Sequence, residues 1–159
     1  MQNKITVIGL GYVGLTLAIT LAKKGFITNG VERDKKKFSL LSKNRSHFHE
    51  DNIEKQLKIV KRNKTLKICN NLKKTNNSNV YVITIGTPIN EKKKINLGNI
   101  FSICKILKKK ISNNSIIVIR STVKLGTTKK IENFFNRNSK KKIHLAMCPE
   151  RTVEGDALK

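Results

Sequence analysis

Short runs of β-branched and other apolar residues alternate along the chain with longer stretches whose apolar positions recur every three or four residues. That alternation predicts an α/β fold on a mainly parallel sheet. The first strand runs from Lys4 to Gly9, with Ile5, Val7 and Ile8 as its apolar content. A helix is expected from about Gly11 to Lys24, because Gly14, Leu17, Ala18, Leu21 and Ala22 share one face and Gly25 is placed to end it. A second strand spans Phe26 to Glu32. Helical stretches follow at Lys35 to Ser42 and Asp51 to Arg62, the latter with Ile53, Leu57 and Val60 on one face. Further strands are expected at Thr65 to Cys69, Val80 to Ile85, Ser115 to Ile119 and Lys142 to Met147. Helices at about Leu97 to Ile111 and Thr127 to Arg137 separate the last three. The run SIIVI (residues 115–119) is almost wholly apolar, the pattern of a strand covered on both faces. No repeat and no linker divides the chain, and low-complexity sequence is confined to Asn and Lys tracts in loops such as Asn70 to Asn79. The expectation is a single doubly wound (Rossmann) domain over residues 1–159.

Charge changes this picture little. The chain carries 34 Lys and Arg against 10 Asp and Glu, a formal net charge of +24. Phosphate neutralisation by such a surface would favour nucleic acid. The cations, however, are scattered in short clusters (Lys35 to Lys37, Lys92 to Lys94, Lys108 to Lys110, Lys140 to Lys142) without interleaved aromatics. Only 6 of the cations are arginine, the residue that reads base edges bidentately. A solvated basic surface is expected, with no nucleic-acid partner. Cys69, Cys104 and Cys148 are odd in number and widely spaced, and they join His47, His49 and His144 in no ligand pattern, so neither a disulfide framework nor a metal site is expected. No apolar run approaches the roughly 20 residues needed to cross a bilayer. The N-terminal stretch MQNKITVIGLGYVG passes into glycine-broken sequence, unlike the unbroken apolar segment of a cleavable leader. A cytoplasmic protein without a membrane partner is the expectation.

The chemistry starts at VIGLGYVG, where Gly9, Gly11 and Gly14 stand in G-x-G-x-x-G spacing. Each has a role in a dinucleotide site: Gly9 permits the tight turn off the strand, Gly11 lets a pyrophosphate approach the backbone, and Gly14 lets the helix pack closely on the sheet. The helix start then attracts the diphosphate through its N–H groups and dipole. Glu32 follows Gly14 by 18 residues, at the end of the second strand, where an acid accepts hydrogen bonds from the adenosine ribose. Its charge would repel a 2′-phosphate, which favours NAD over NADP, although Arg33 beside it weakens that preference. Asp34 suits the N-cap of the next helix better than a second ribose ligand.

Ligands in doubly wound sheets sit beyond the carboxyl ends of the strands. Three such ends carry polar or turn residues: Gly86-Thr87-Pro88, Arg120-Ser121-Thr122-Val123, and the stretch from Cys148 to Gly155. Singly, each reads as a cap or turn; Ser121 could close a local turn, and Thr127 or Thr128 could cap the following helix. Taken with the glycine loop, the series VIGLGYVGLTLA, GVERD, ITIGTP, RSTVKLGTT and PERTVEGDAL resembles the NAD-binding domain of the UDP-glucose/GDP-mannose dehydrogenase family over essentially the whole chain. SHFHE (residues 46–50) and the PER form of the last motif resemble the UDP-N-acetylhexosamine branch, particularly UDP-N-acetylmannosamine dehydrogenases. The UDP-glucose branch more often has PEF.

The resemblance implies a two-step, NAD-dependent oxidation of a sugar C6 alcohol to a carboxylate, the second step passing through a cysteine thiohemiacetal and thioester. Carried over by motif, Gly9, Gly11, Tyr12, Val13 and Gly14 would hold the pyrophosphate and Glu32 the ribose. Thr87 and Thr122 would line the nicotinamide region, with Thr122 also positioning the catalytic water. Glu154, and with it Glu150, would assist attack of that water on the thioester, work suited to a partly desolvated carboxylate.

Family members continue into a central dimerisation region and a C-terminal domain that binds the nucleotide sugar. The resemblance therefore implies that the nucleophilic cysteine and most sugar contacts are absent from these 159 residues. Cys69 and Cys104 fall on a strand and a helix face where packing thiols are common, and Cys148 has no adjacent activating base. The expectation is an NAD-binding portion inactive alone, meeting a UDP-sugar only with the missing domains. The alternative is a standalone NAD-binding module or split subunit that docks with a partner chain or forms a homodimer. Apolar surface near Leu125 and from Val153 to Leu158 would favour docking.

Overall fold

The computed structural model describes residues 4–88, 96–137, 141–151, 155 and 157–158. Among these residues six strands and five α-helices follow in the order β1 (Lys4–Ile8), α1 (Tyr12–Lys23), β2 (Ile27–Val31), α2 (Lys35–Ser42), α3 (Ile53–Arg62), β3 (Leu66–Cys69), β4 (Val80–Ile83), α4 (Gly98–Lys110), β5 (Ser115–Ile119), α5 (Thr127–Asn136) and β6 (Ile143–Met147). All pairings are parallel, and the strand order is β3-β2-β1-β4-β5-β6. The doubly wound expectation holds. Chain direction across the sheet reverses between β1 and β4, which opens a crevice above those two strand ends.

Alternation along the strands sends successive side chains to opposite faces. On one face Ile5, Val7 and Val82 pack with Leu15, Ala18 and Ile19 of α1 and Leu57 and Val60 of α3. On the other, Tyr81, Ile83, Ile117 and Ile119 pack with Ile100, Cys104 and Leu107 of α4 and Ile131 and Phe135 of α5. The first of these faces is not covered all the way across. Ile116 of β5 is 40% exposed, and on β6 its register partner His144 and Ala146, the partner of Val118, are exposed as well. SIIVI is therefore fully buried on the α4–α5 side, while on the other side Val118 is half-buried against the α1–α3 core and Ile116 is open, so the expectation of two covered faces holds only in part. Only at Ile116 is the outer face of the run left exposed.

Three local details differ from the sequence reading. The Asn- and Lys-rich tract after β3 contains a 3-10 turn, Leu72–Lys74, with Leu72 in the core and Asn71 capping it through Lys73 N–H at 2.9 Å. The N-cap of α5 is Gly126, not Thr127 or Thr128; Thr127 is buried. Ser121 closes no local turn, and its hydroxyl instead donates to Ile85 O at 2.7 Å, pinning the end of β5 to that of β4. Asp34 does cap α2, accepting Lys37 N–H at 2.9 Å, and that bond holds its carboxyl below the usual value.

Candidate functional site: a coenzyme cleft at the sheet switch point

The turn after β1 is shaped by what its glycines lack. Gly9 has φ +95°, a left-handed backbone that strains any residue with a Cβ, and such a Cβ would also lie 2.8 Å from Ile85 Cγ2. A Cβ on Gly14 would fall 1.8 Å from Gly9 O, so the first turn of α1 can sit this close to the strand only with glycine there. Thr84 fastens the arrangement, its hydroxyl reaching Gly9 O at 2.7 Å and Ile8 O at 3.0 Å. Gly11, the N-cap of α1, makes no side-chain cap bond, and no acid stands in the first turn. A Cβ at Gly11 would meet nothing within 4 Å. The positive end of the helix dipole thus faces open space that suits a diphosphate.

Glu32 stands at the mouth of this turn. It is 7% exposed. One carboxylate oxygen accepts Leu10 N–H at 3.1 Å and the other accepts Asp34 N–H at 2.9 Å. Two backbone bonds fix the rotamer while leaving each oxygen a second lone pair for a ribose hydroxyl. Glu32 also lines a cleft of about 450 Å³ together with Gly9, Gly11, Thr84 and Gly86. Ile103 and Ile106 of α4 supply an apolar wall, and Asn70, Asn71 and Asn99 supply polar contacts. An apolar wall, an acid and a glycine turn in one crevice fit an adenosine diphosphate.

The remaining expected residues divide. Thr87 and Thr122 come together, the Thr87 hydroxyl donating to Thr122 O at 2.7 Å across the ends of β4 and β5. The side chain of Tyr12 turns away from the glycine turn: its ring packs on Phe48 at 5.0 Å between centroids, and its hydroxyl donates to Glu50 at 2.5 Å. Only the backbone of Tyr12 belongs to the phosphate turn. Val13 is half-buried one position further into α1. Glu150 accepts from Arg120 Nε at 2.6 Å and from Arg151 N–H at 2.8 Å. Its hydrogen bond raises the Arg120 guanidinium above its usual value. Glu154 lies outside the described residues.

Sequence reasoning gave no role to Thr84, Arg120 or Glu50. Thr84 and Arg120 stand inside ITIGTP and RSTVKLGTT, where a hydroxyl and a guanidinium at strand ends were the available signal. Glu50 stands inside SHFHE and offered no chemical signal of its own. It is 5% exposed. The Tyr12 hydroxyl above all, helped by backbone N–H groups of Gly155, Leu158 and Ala157, holds its carboxyl below the usual range against the opposing effect of burial.

A switch-point crevice, a glycine turn and a buried acid at its mouth together define a dinucleotide-binding Rossmann domain. The chain belongs to the UDP-glucose/GDP-mannose dehydrogenase family, whose NAD binding domain matches residues 3–159. It is 32% identical over 162 residues to a UDP-N-acetyl-D-mannosamine dehydrogenase of Methanococcus aeolicus, covering 99% of this chain and 36% of that protein. The solved UDP-D-ManNAc dehydrogenase from Pyrococcus horikoshii superposes with a TM-score of 0.88 at 26% identity, over 96% of this chain and 37% of its own. A GDP-mannose dehydrogenase from Pseudomonas aeruginosa, solved as a ternary complex, gives 0.85 at 27% identity, over 99% and 38%. The chain thus spans little more than a third of the length of these relatives. Among the described residues no helix is long and apolar enough to cross a membrane.

Proposed function

We propose that the chain is the NAD-binding part of a nucleotide-sugar 6-dehydrogenase that converts the C6 alcohol of a UDP-N-acetylhexosamine to a carboxylate. The observation that carries this reading is the Glu32 carboxylate, 3.1 Å from the N–H of Leu10 inside the glycine turn. The names of the relatives support the sugar class, since a UDP-N-acetyl-D-mannosamine dehydrogenase is 32% identical over 99% of this chain. Bound NAD would supply the two-electron acceptor for each oxidation.

Within this reading the backbone from Gly9 to Gly14, Tyr12 and Val13 included, holds the pyrophosphate, and Glu32 holds the ribose. Thr87, tied to the Thr122 carbonyl, fixes the loop beside the nicotinamide and leaves the exposed Thr122 side chain to orient water. Glu154 is the base for that water. Glu150 is already engaged by Arg120, and we assign it the task of holding the segment after β6 in place. UDP-sugar binding and turnover require domains beyond those described, so the 159-residue chain alone binds NAD without oxidising a sugar. A second reading, a module that docks with a separate chain or a second copy, is favoured by Leu125, which is fully exposed, and by the bare flank of β5 and β6.

Calorimetric titration with NAD tests the first part. Saturable binding that Glu32→Ala abolishes supports it, and indifference to NAD overturns it. NADH formation by the protein carrying this domain, with UDP-N-acetylmannosamine against UDP-glucose, tests the sugar class; turnover of UDP-glucose alone would overturn it. Sugar oxidation by the isolated chain would refute the assignment of the nucleophile to other domains.

A further inference from the structure

Glu50 and Glu32 are both buried carboxylates, but Glu50 does not line the coenzyme cleft and the function above gives it no task. Burying a charge is unfavourable unless hydrogen bonds replace its water. Here the replacements come from two directions. Oε2 of Glu50 accepts the Tyr12 hydroxyl at 2.5 Å and the backbone N–H of Gly155 at 2.9 Å. The same N–H lies 2.9 Å from the Tyr12 hydroxyl oxygen, and the N–H groups of Ala157 and Leu158 bond to the same carboxylate. One anion therefore gathers three amides of a single turn, the partners a helix start or tight turn otherwise leaves unmet.

Two further features mark this as a built contact. Gly155 has φ +92°, a left-handed backbone that favours glycine in the turn that aims these amides at Glu50. Leu158 packs against the core cluster that contains Leu15 and Ala18 of α1. Tyr12 belongs to both places at once: its backbone opens α1 in the phosphate turn, and its hydroxyl completes the Glu50 site.

We propose that Glu50 is a positioning residue which, through the Tyr12 hydroxyl, clasps Gly155, Ala157 and Leu158 to the first turn of α1, so that coenzyme binding and docking of these residues stabilise each other. The coupling half of this proposal rests on the NAD reading; the clasp itself does not. Linkage makes the effect reciprocal: whatever NAD gains from an ordered first turn, the docked segment gains from NAD.

Amide hydrogen exchange on the full chain, with and without saturating NAD, tests it. Without NAD, the amides of Gly155, Ala157 and Leu158 should exchange at least roughly tenfold faster in Glu50→Gln and in Tyr12→Phe, while those of Val7 and Val82 in the sheet keep their wild-type rates. With NAD, the three amides should slow further in the wild type, and Tyr12→Phe should bind NAD roughly fivefold or more weakly. Should Glu50→Gln fail to fold, Tyr12→Phe, which loses only a hydroxyl, decides the matter. Unchanged exchange at these three amides in Tyr12→Phe would overturn the clasp, and wild-type exchange indifferent to NAD would overturn the coupling. A wild-type chain that binds no NAD would refute the coenzyme reading together with the coupling, while the coenzyme-free rates still judge the clasp.

Discussion

Arg120, at the end of β5, and Glu150, just past β6, meet with Nε 2.6 Å from the carboxylate, each side chain about one-fifth exposed (21% and 19%). Removing one partner of a pair this sheltered costs more than removing one of a surface ion pair, because the other loses its charge partner in partial burial. Arg120→Ala is therefore expected to destabilise the domain by roughly 1–3 kcal/mol in urea denaturation. A change within experimental error would show that the pair holds nothing in place.

Gly11 and Gly14 separate the fold from the coenzyme. Alanine at 14 would drive its Cβ to 1.8 Å from Gly9 O and 2.6 Å from the Thr84 hydroxyl. It should cost roughly 1–3 kcal/mol or more in stability. Alanine at 11 meets open space and should leave stability within roughly 0.5 kcal/mol, while its methyl intrudes where the diphosphate approaches and weakens NAD. Thermal melts paired with NAD titrations of the two variants check the contrast. Equal behaviour would remove the phosphate role from this turn.

The two faces of the sheet should answer mutation differently. Phe135, on the inner face of α5, is 2% exposed, and Phe135→Ala is expected to cost roughly 3–5 kcal/mol. Ile116, 40% exposed on the bare flank, should tolerate Ile116→Thr within roughly 1 kcal/mol. Denaturant midpoints of the two variants decide whether that flank is in fact uncovered in solution.

Thiol chemistry reports on burial with a definite pH sign. Burial pushes the Cys104 thiol up to about 12 and raises that of Cys69 as well, whereas Cys148 is exposed. At neutral pH one thiol, Cys148, should react quickly with an alkylating reagent, and the other two only on unfolding. The unfolded chain deprotonates Cys104 near its ordinary value of 9.0, so its contribution to stability is complete below that pH and is lost as pH rises toward about 12. Cys104→Ala should therefore flatten the alkaline limb of the stability profile. Fast labelling of Cys104 in the native protein would contradict the packing of α4.

Much of this architecture was readable from the sequence because its signals are local. Apolar spacing in Ile53-to-Val60 determines the face of α3, and Gly9, Gly14 and Glu32 announce a turn and an acid at fixed separations along the chain. In α1 the spacing marks the helix but misplaces its inner face, since Leu15 and Ile19 are fully buried while Leu17 and Leu21, expected there, are half-buried. The rest of what escaped is non-local. SIIVI looks like a doubly covered strand, and nothing within it says that no described helix lies over Ile116. Tyr12 reads as a phosphate-turn residue, and its partner Glu50 is 38 positions away. Ser121 reads as a turn former, yet its hydrogen bond to Ile85 spans 36 positions. Bonds of that separation arise from the winding of the sheet, which sequence spacing does not encode.

The central claim is that the turn at Gly9 to Gly14 and the carboxylate of Glu32 form one coenzyme seat. NMR titration of the isotopically labelled chain with NAD addresses it at the level of single amides. The account predicts saturable shifts confined to residues 9–14, to Asp34, whose N–H bonds to Glu32, and to the cleft wall at Ile103 and Ile106, all lost in Glu32→Ala. Shifts spread over the lysine-rich surface, or none at all at the glycine turn, would contradict it.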